Sequence, residues 1–399
     1  MQEEKTPAEP AKKTTQHLNH GIDVQHSTQH LIVLNHGIDG TVKDMHAVRD
    51  ALVKLQAPGL ETWEASENEG KTHSGVEPCS ERFWVALRSK IESVLGTQAD
   101  KKLRVSFIGH SMGGLVLRSV ATRLHASAEL REQVVLDSMI CIASPHLGCR
   151  LLGRGGKGGV APLMTTFGPS LMRAGLRIIK GATGPDLLLD NGTLEGLADE
   201  AHIAALAAFE RRVVYCNGSG DWLVNVESAS LLTAEELACV LPASVAGCKG
   251  ADAGVLWVPD ATTAAAAAAA WPATLGCARD PKACGDGIES GGYRLELRPL
   301  PVGWDPLLTA RAHRTWDDKG GWRAQRAATL LSRIRGAGAW ELHLCHFFQR
   351  SSFAGGVFSP HIDLVDLPHK VTQHFGAEVV THLAGTAAGN GMLDGKSGI

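Results

Sequence analysis

Short apolar runs alternate with segments of helical periodicity over the first half of the chain. The strand candidates are Leu31–Leu34, Thr62–Ala65, Leu103–Ile108, Val134–Ile142 and Arg212–Cys216. The helix candidates between them are Asp44–Leu55, Ser80–Leu95, Met112–Leu124 and Ala201–Phe209. Strands that alternate with helices predict an α/β fold with a mostly parallel central sheet and helices on both faces. Reactive groups in such folds gather at the carboxyl ends of the strands.

The second half of the chain has a weaker pattern. Residues 231–310 carry an alanine tract and clusters of glycine, proline and aspartate, which predicts a low-complexity insertion. Periodicity returns in a helix at Trp322–Ile334, a strand at Trp340–Phe348 and a helix at Glu378–Leu383. Residues 1–28 are polar and charged and are predicted to form a disordered arm. One domain of this fold is expected over 29–399, with an apolar cap at about 151–200.

Composition narrows the class of protein. The chain has 399 residues, 44% of them apolar, and a formal net charge of −3 with no basic stripe, so we expect no nucleic-acid partner. Nine cysteines without metal-type C-x-x-C pairing favour a reduced compartment. The polar N-terminus is not of the secretory type, and no window offers the roughly 18 apolar residues of a spanning helix. We therefore expect a cytoplasmic protein, with peripheral contact to a lipid surface left open.

The sequence GHSMGG, Gly109 to Gly114, lies between the apolar run at Leu103–Ile108 and the predicted helix that follows it. A serine between glycines at a strand-to-helix junction is typical of a strained, exposed nucleophile. Gly109 and Gly113 are needed there because a Cβ would clash with neighbouring backbone. Ser111 is therefore the candidate nucleophile.

A serine that attacks an ester also needs amide donors for the developing oxyanion. The amide of Met112 opens the following helix and is the natural first donor. The second donor is expected in the loop His36–Gly40 after the first strand, where we choose the amide of Ile38 because Gly37 lets the backbone turn inward. His36 itself is interpreted as a structural residue packed under that loop.

The serine also needs a base oriented by an acid, and in α/β-hydrolases the chain order is serine, acid, histidine. Asp221 follows the strand at Arg212–Cys216 in a turn-like NGSGD segment and is the candidate acid. Seven later histidines compete for the role of base: His313, His343, His346, His361, His369, His374 and His382. His343 alternates with apolar residues in a strand and is interpreted as packed. Position does not separate His361, His369 and His374.

Several segments resemble a lipase-like family of serine esterases among the eukaryotic α/β-hydrolases. They are HLIVLNHGIDGTVKDM, SENEGKTHSGVEPCSERF with its N-x-G-x-T-x-x-G pattern, VSFIGHSMGGLVLRSVA, IASPHLG and FERRVVYCNGSGDWLVNVESASL. The resemblance covers about residues 30–230 and 322–385. It supports Asp221 as the acid. It favours His369 as the base, because Pro368-His369 leads to a G-x-x-V-x-x-H-L segment, with His361 as the second choice. It implies that His146 ties a strand end to the site. The usual basic residue after the acid is Trp222 here.

These residues predict hydrolysis of a carboxylic ester, with an acyl lipid as the expected substrate, through an acyl-enzyme. No metal or cofactor is expected. Two alternatives stay open: an acyltransferase that passes the acyl group to an alcohol or amine, and a catalytically inactive scaffold that keeps the fold.

Overall fold

The computed structural model describes residues 29–96, 102–149, 180–218, 221, 223–233, 235–240, 255–256, 275–280, 292–297, 299, 322–346 and 377–388. The predicted arm at 1–28, residues 151–179 of the predicted cap and the candidate bases His361 and His369 lie outside the described residues.

A nine-stranded sheet forms the centre of the described structure. Its strands are β1 (Gln29–Asn35), β2 (Leu60–Glu64), β3 (Leu103–His110), β4 (Val134–Ile142), β5 (Arg211–Asn217), β6 (Val255–Leu256), β7 (Leu275–Asp280), β8 (Gly292–Leu297) and β9 (Trp340–His346). The order is β2-β1-β3-β4-β5-β9-β8-β7, with β6 also paired to β9. Six neighbouring strands are parallel to one another: β2, β1, β3, β4, β5 and β9. The predicted α/β-hydrolase fold class, with a mostly parallel sheet, is confirmed.

Helices cover both faces of this sheet. They are α1 (His46–Lys54), α2 (Val76–Leu95), α3 (Met112–Ala126), α4 (Ala128–Arg131), α5 (Thr183–Leu187), α6 (Thr193–Gly196), α7 (Glu200–Ala207), α8 (Val226–Ser230), α9 (Trp322–Arg335) and α10 (Ala377–Ala387). Helices α1 and α10 pack on one face, and α2, α3, α7 and α9 contribute to the core on the other. None of the helices in the described part of the chain is both long and apolar enough to cross a bilayer.

The central strands are buried on both faces, which explains their continuous apolar runs. In β1, Leu31 and Val33 belong to the larger core, whereas Ile32 and Leu34 face the smaller one. A strand that is covered on both sides gains from apolar residues at every position, whereas a half-exposed strand alternates with polar ones. The run LIVL therefore predicts a central strand, and β1 pairs with β2 on one side and β3 on the other.

The strand order reverses at β1. The chain leaves β1 for the edge strand β2 and then returns to β3 on the other side of β1. The carboxyl ends of β1 and β3 thus diverge into connections that run in opposite directions, and ligands of open α/β sheets bind in the crevice at such a point. The loop His36–Gly40 follows β1 and Ser111 follows β3, so both flank this crevice.

Three strands lie inside the region predicted as a low-complexity insertion. Strands β7 and β8 form an antiparallel hairpin, and β8 continues antiparallel onto β9. The two-residue β6 also pairs antiparallel with β9. The sequence did not predict these strands, because β6 and β8 pair with β9, which comes more than 40 residues later in the chain, and β7 pairs only with β8.

A buried polar network joins the amino-terminal halves of β1, β3 and β4. The hydroxyl of Ser106 in β3 donates to Asp137 Oδ2 in β4 at 2.8 Å, and His30 Nε2 in β1 lies 2.8 Å from the same hydroxyl oxygen. Burial lowers the pKa of His30 below 6.5, although the Asp137 carboxylate opposes this shift. The Ser106 hydroxyl is already committed to Asp137, so His30 donates to it as a neutral ring.

We predict that His30 makes the stability of the protein depend on pH. Because its pKa is lower in the folded state than in the unfolded chain, its contribution is complete above about pH 6.5 and is lost as the pH falls. His30→Gln keeps a donor at this position but cannot titrate. Urea unfolding between pH 7.5 and 5.5 should show a shallower loss of stability in the variant, by at most about 1.4 kcal/mol per pH unit. An identical pH slope in the two proteins would contradict the prediction.

Candidate active site

Ser111 occupies a strained turn between β3 and α3. Its backbone has φ 54° and ψ −128°, a conformation that residues other than glycine rarely adopt and that costs about 1–3 kcal/mol. The amide of Ser111 donates to the carbonyl of Ile142 at the end of β4 at 2.8 Å, and its carbonyl accepts from the amide of Gly114 at 3.1 Å. The turn is therefore fixed by a neighbouring strand and by the first turn of α3.

Two glycines allow the close approaches that this turn requires. A Cβ on Gly109 would lie 2.5 Å from the amide nitrogen of Gly114. A Cβ on Gly113 would lie 2.5 Å from the carbonyl oxygens of both Asn35 and His36 at the end of β1. The start of α3 is thus pressed against the end of β1, and Asn35 Nδ2 also donates to the Gly113 carbonyl at 3.2 Å.

The loop His36–Gly40, called the oxyanion loop below, lies directly against Ser111. The position of a Cβ on Gly37 would be 2.9 Å from Ser111 Cβ and 3.4 Å from Ser111 Oγ. Ser111 is only 6% exposed. The buried His36 ring lies with Nδ1 2.9 Å from the Gly37 carbonyl, and the Gly40 amide closes the turn onto that carbonyl at 3.2 Å. Ile38 is partly buried in this loop.

Asp221 lies four residues after β5 and is held by three N–H donors. Its Oδ1 accepts from the amides of Leu223 at 3.1 Å and Val224 at 3.0 Å, and its Oδ2 accepts from Asn217 Nδ2 at 3.1 Å. Donors of this kind stabilise the ionised carboxylate. Burial and, to a lesser degree, this carboxylate raise the pKa of the Cys149 thiol to about 12, so Asp221 lies near the loop that follows β4.

His146, in the loop after β4, is completely buried. Its Nδ1 lies 3.3 Å from Arg118 Nη1, and its ring meets the edge of Trp340 at 5.9 Å. Burial, followed by the charge of Arg118, holds the pKa of His146 well below 6.5, so the ring is neutral. A neutral ring whose Nδ1 accepts from a guanidinium does not also supply a proton-accepting nitrogen to Ser111 through that atom.

Arg118 in α3 is a buried arginine to which the sequence patterns assigned no role. Its Nη2 donates to the Leu197 carbonyl at 2.7 Å, and it pairs with no carboxylate among the described residues. Burial lowers its pKa to about 10. It lies seven residues, two helical turns, after Ser111, and together with His146 it links α3 to the loop after β4 and to the segment before α7.

Of the competing histidines, two whose side chains the structure describes lie in a separate aromatic cluster. His343 in β9 stacks on Tyr215 at 4.6 Å, and Tyr215 Oη lies 2.9 Å from His382 Nδ1 in α10. His361 and His369, the two candidates favoured as base, lie outside the described residues. Within the described residues, no group of three or more histidine, cysteine, aspartate or glutamate side chains is arranged to hold a metal ion.

The amino-acid sequence that forms this strand end, strained serine and glycine-containing loop matches a known family. The profile of the family described as "Putative serine esterase (DUF676)" matches residues 25–232, which is more than half of the chain. The chain belongs to this family. The match to the serine esterase family includes the oxyanion loop, Ser111, His146 and Asp221.

Two yeast relatives of this chain carry names that indicate a lipase. The chain is 28% identical over 212 residues to "Putative lipase YDL109C" of Saccharomyces cerevisiae, which is 51% of this chain. It is 27% identical over 222 residues to "Putative lipase ROG1" of the same organism, which is 53% of this chain. Each match spans 30% of the length of the yeast protein, so the chain corresponds to less than a third of either relative.

Solved structures are similar to about half of this chain. One is phospholipase PlaB from Legionella pneumophila in complex with thio-NAD, with 16% identity, a TM-score of 0.33, and coverage of 48% of this chain and 39% of that one. Another is carboxyl esterase 2 from Tuber melanosporum, with 14% identity, a TM-score of 0.29, and coverage of 47% and 57%. The fold assignment rests on the strand order described above.

We predict that Gly113→Ala destabilises the protein although Gly113 lies in a helix. Alanine normally stabilises a helix by about 1 kcal/mol relative to glycine, but here the new Cβ would press on two carbonyl oxygens at 2.5 Å. Overpacking of this kind costs about 1–3 kcal/mol, which reverses the sign. Urea unfolding should show a lower midpoint.

Gly196→Ala is the matched control, since Gly196 ends the short helix α6 and a Cβ there meets nothing within 4 Å. This variant should unfold at or slightly above the midpoint of the unaltered protein. Equal midpoints for Gly113→Ala and the unaltered protein would show that α3 is not held tightly against the end of β1.

Proposed function

We propose that this protein hydrolyses carboxylic esters through an acyl-enzyme formed on Ser111. The observation that carries the proposal is the strained backbone of Ser111 at the end of β3, which is in contact with the glycine of the oxyanion loop. Strain of this kind persists only where the surrounding structure enforces it, and it is concentrated at functional sites. Membership of the serine esterase family supports the same chemistry.

In the proposed first step, Ser111 Oγ attacks the ester carbonyl and its proton passes to a histidine. His369 is the proposed base and His361 the alternative. Asp221 stabilises the imidazolium that forms, since its carboxylate is already oriented by three N–H donors. The tetrahedral intermediate then expels the alcohol, which takes the proton from the imidazolium.

In the second step a water molecule attacks the acyl-enzyme and gives its proton to the same histidine. The acid is released when Ser111 recovers that proton, so no metal or cofactor enters the balance. The oxyanion of both intermediates would be stabilised by the amides of Met112 and Ile38. The amide of Met112 belongs to the first turn of α3, where backbone N–H groups have no partner within the helix.

An acyl lipid is the substrate class that we propose. Ile38, next to Gly37 of the oxyanion loop, and Leu223, whose amide donates to Asp221, are partly buried apolar residues near the proposed site. Contact with an acyl chain contributes about 0.8 kcal/mol for each buried CH₂ group. The yeast relatives named as lipases support this choice, although this chain matches only 30% of their length.

We predict that Ser111→Ala abolishes labelling by a fluorophosphonate probe and lowers the turnover of p-nitrophenyl acyl esters by at least about 10⁴-fold. Ser106→Ala is the matched control, because Ser106 also lies beside a histidine and an aspartate but in the network at the middle of β3. It should keep both labelling and turnover. Loss of labelling in Ser106→Ala alone would show that the nucleophile is Ser106 and not Ser111. A native protein that the probe does not label would favour the inactive scaffold.

We further predict that His369→Ala lowers turnover by more than about 10³-fold, because the serine loses its proton acceptor. His361→Ala should retain most of the activity. The rate of fluorophosphonate labelling measures the same step without product release. The reverse result, with labelling lost in His361→Ala and kept in His369→Ala, would move the role of base to His361.

A further inference from the structure

The far side of the oxyanion loop is fastened to another part of the chain. The amide of Asp39 donates to Thr72 Oγ1 at 3.0 Å. Thr72 begins a short 3₁₀ turn, Thr72–Ser74, and is only 3% exposed. This bond fixes the peptide between Ile38 and Asp39, which is one Cα removed from the amide of Ile38 itself. Asp39 has φ 59°, so the loop turns sharply at this point.

Thr72 is itself held by a buried neighbour. Its carbonyl accepts from the hydroxyl of Thr183 at 2.6 Å, and Thr183 Oγ1 accepts from the amide of Gly75 at 2.9 Å. Thr183 is completely buried. Val76, two residues beyond this turn, begins α2, and its amide donates to the carboxylate of Asp186 at 2.8 Å. The loop is therefore connected to the long helix α2 through a chain of buried hydrogen bonds.

The carboxylate of Asp39 makes a second, more exposed connection. Its oxygens contact Lys180 Nζ and, at 2.5 Å, His73 Nε2. Burial raises the pKa of Asp39, but hydrogen bonds and charges from Lys180 and His73 outweigh that effect, and the pKa lies below 3.8. Since the Asp39 side chain is half exposed, these ion pairs are screened by solvent and contribute little to stability.

We propose that Thr72 is a positioning residue, whose buried hydroxyl holds the oxyanion loop so that the amide of Ile38 can receive the oxyanion. This inference rests on the proposed function. Of the two connections, the Thr72 hydroxyl is buried and directional, whereas the Asp39 carboxylate is solvated. The hydroxyl is therefore the contact that sets the loop. The ion pairs with Lys180 and His73 are accessory.

The test compares Thr72→Val, which keeps the shape but removes the acceptor, with Thr72→Ser, which keeps it. Removing a donor from an oxyanion hole costs about 10²–10³-fold in kcat, so a displaced donor should cost at least about tenfold. We expect kcat for p-nitrophenyl esters to fall by that factor in Thr72→Val with little change in KM. Thr72→Ser should stay close to the native kcat. Lys180→Met, which removes only the ion pair, should change kcat less than about twofold.

Amide hydrogen exchange of a peptide that covers residues 36–40 gives a readout independent of catalysis. Exchange should be faster in Thr72→Val than in the native protein and in Thr72→Ser. If Thr72→Val does not fold, Thr72→Cys, whose thiol is a weak acceptor, replaces it. Unchanged exchange would show that Thr72 does not hold the loop. Faster exchange with an unchanged kcat would show that the loop does not position the oxyanion.

Failure of the proposed function has a different signature. A native protein that neither hydrolyses the ester nor reacts with the fluorophosphonate would overturn the assigned activity, and with it the role of Thr72 in the reaction. The exchange data would still decide whether Thr72 holds the loop. A loss of kcat in Lys180→Met together with native kcat in Thr72→Val would assign the positioning to the ion pairs instead of to the hydroxyl.

Discussion

The contact between the start of α3 and the end of β1 is the constraint on which the rest of the site depends. The backbone of Gly113 approaches the carbonyls of Asn35 and His36 so closely that no side chain could be placed between them. This approach forces the turn at Ser111 and brings Gly37 against its side chain. One backbone contact thus sets both the strained serine and the loop that faces it, at the point where the strand order reverses.

A rigid support surrounds this contact. The Ser111 amide is bonded to the end of β4, and the loop after β4 is in turn bonded to α8 through the hydroxyl of Ser228, which accepts from the Leu147 amide and donates to the Gly148 carbonyl. The buried guanidinium of Arg118 in α3 contacts the neutral ring of His146 in the loop after β4. Arg118 pairs with no carboxylate in the part of the chain that the structure describes, and burying such a guanidinium is costly, so we interpret its contact with His146 as fixing α3 relative to the loop after β4.

The sequence predicted the parts of the fold that depend on local pattern. Local sequence was sufficient for the continuous apolar runs of β1 and β3 and for the glycines around Ser111, because the signal for each lies in adjacent residues. Strands β6 to β8 were not predicted, because a short antiparallel strand is defined by its partner and not by its own periodicity, and here β6 and β8 pair with the distant β9 while β7 pairs with β8. The role of Thr72 was not predicted either, although its N-x-G-x-T-x-x-G segment was recognised. Its contacts with Asp39 and Thr183 join residues 33 and 111 positions apart.

The described residues include a serine, a histidine and an aspartate in contact around Ser106, and comparing Ser106 with Ser111 shows why residue type alone does not define a catalytic group. In the network of Ser106, His30 and Asp137, the hydroxyl donates directly to the carboxylate, so the serine lies between the acid and the histidine. In a nucleophilic relay the histidine must lie between them. Ser106 is also in the middle of a strand and fully buried, with neither a strained backbone nor a glycine loop against it. Its network therefore fastens three strands together, whereas Ser111 has the backbone geometry that a nucleophile needs.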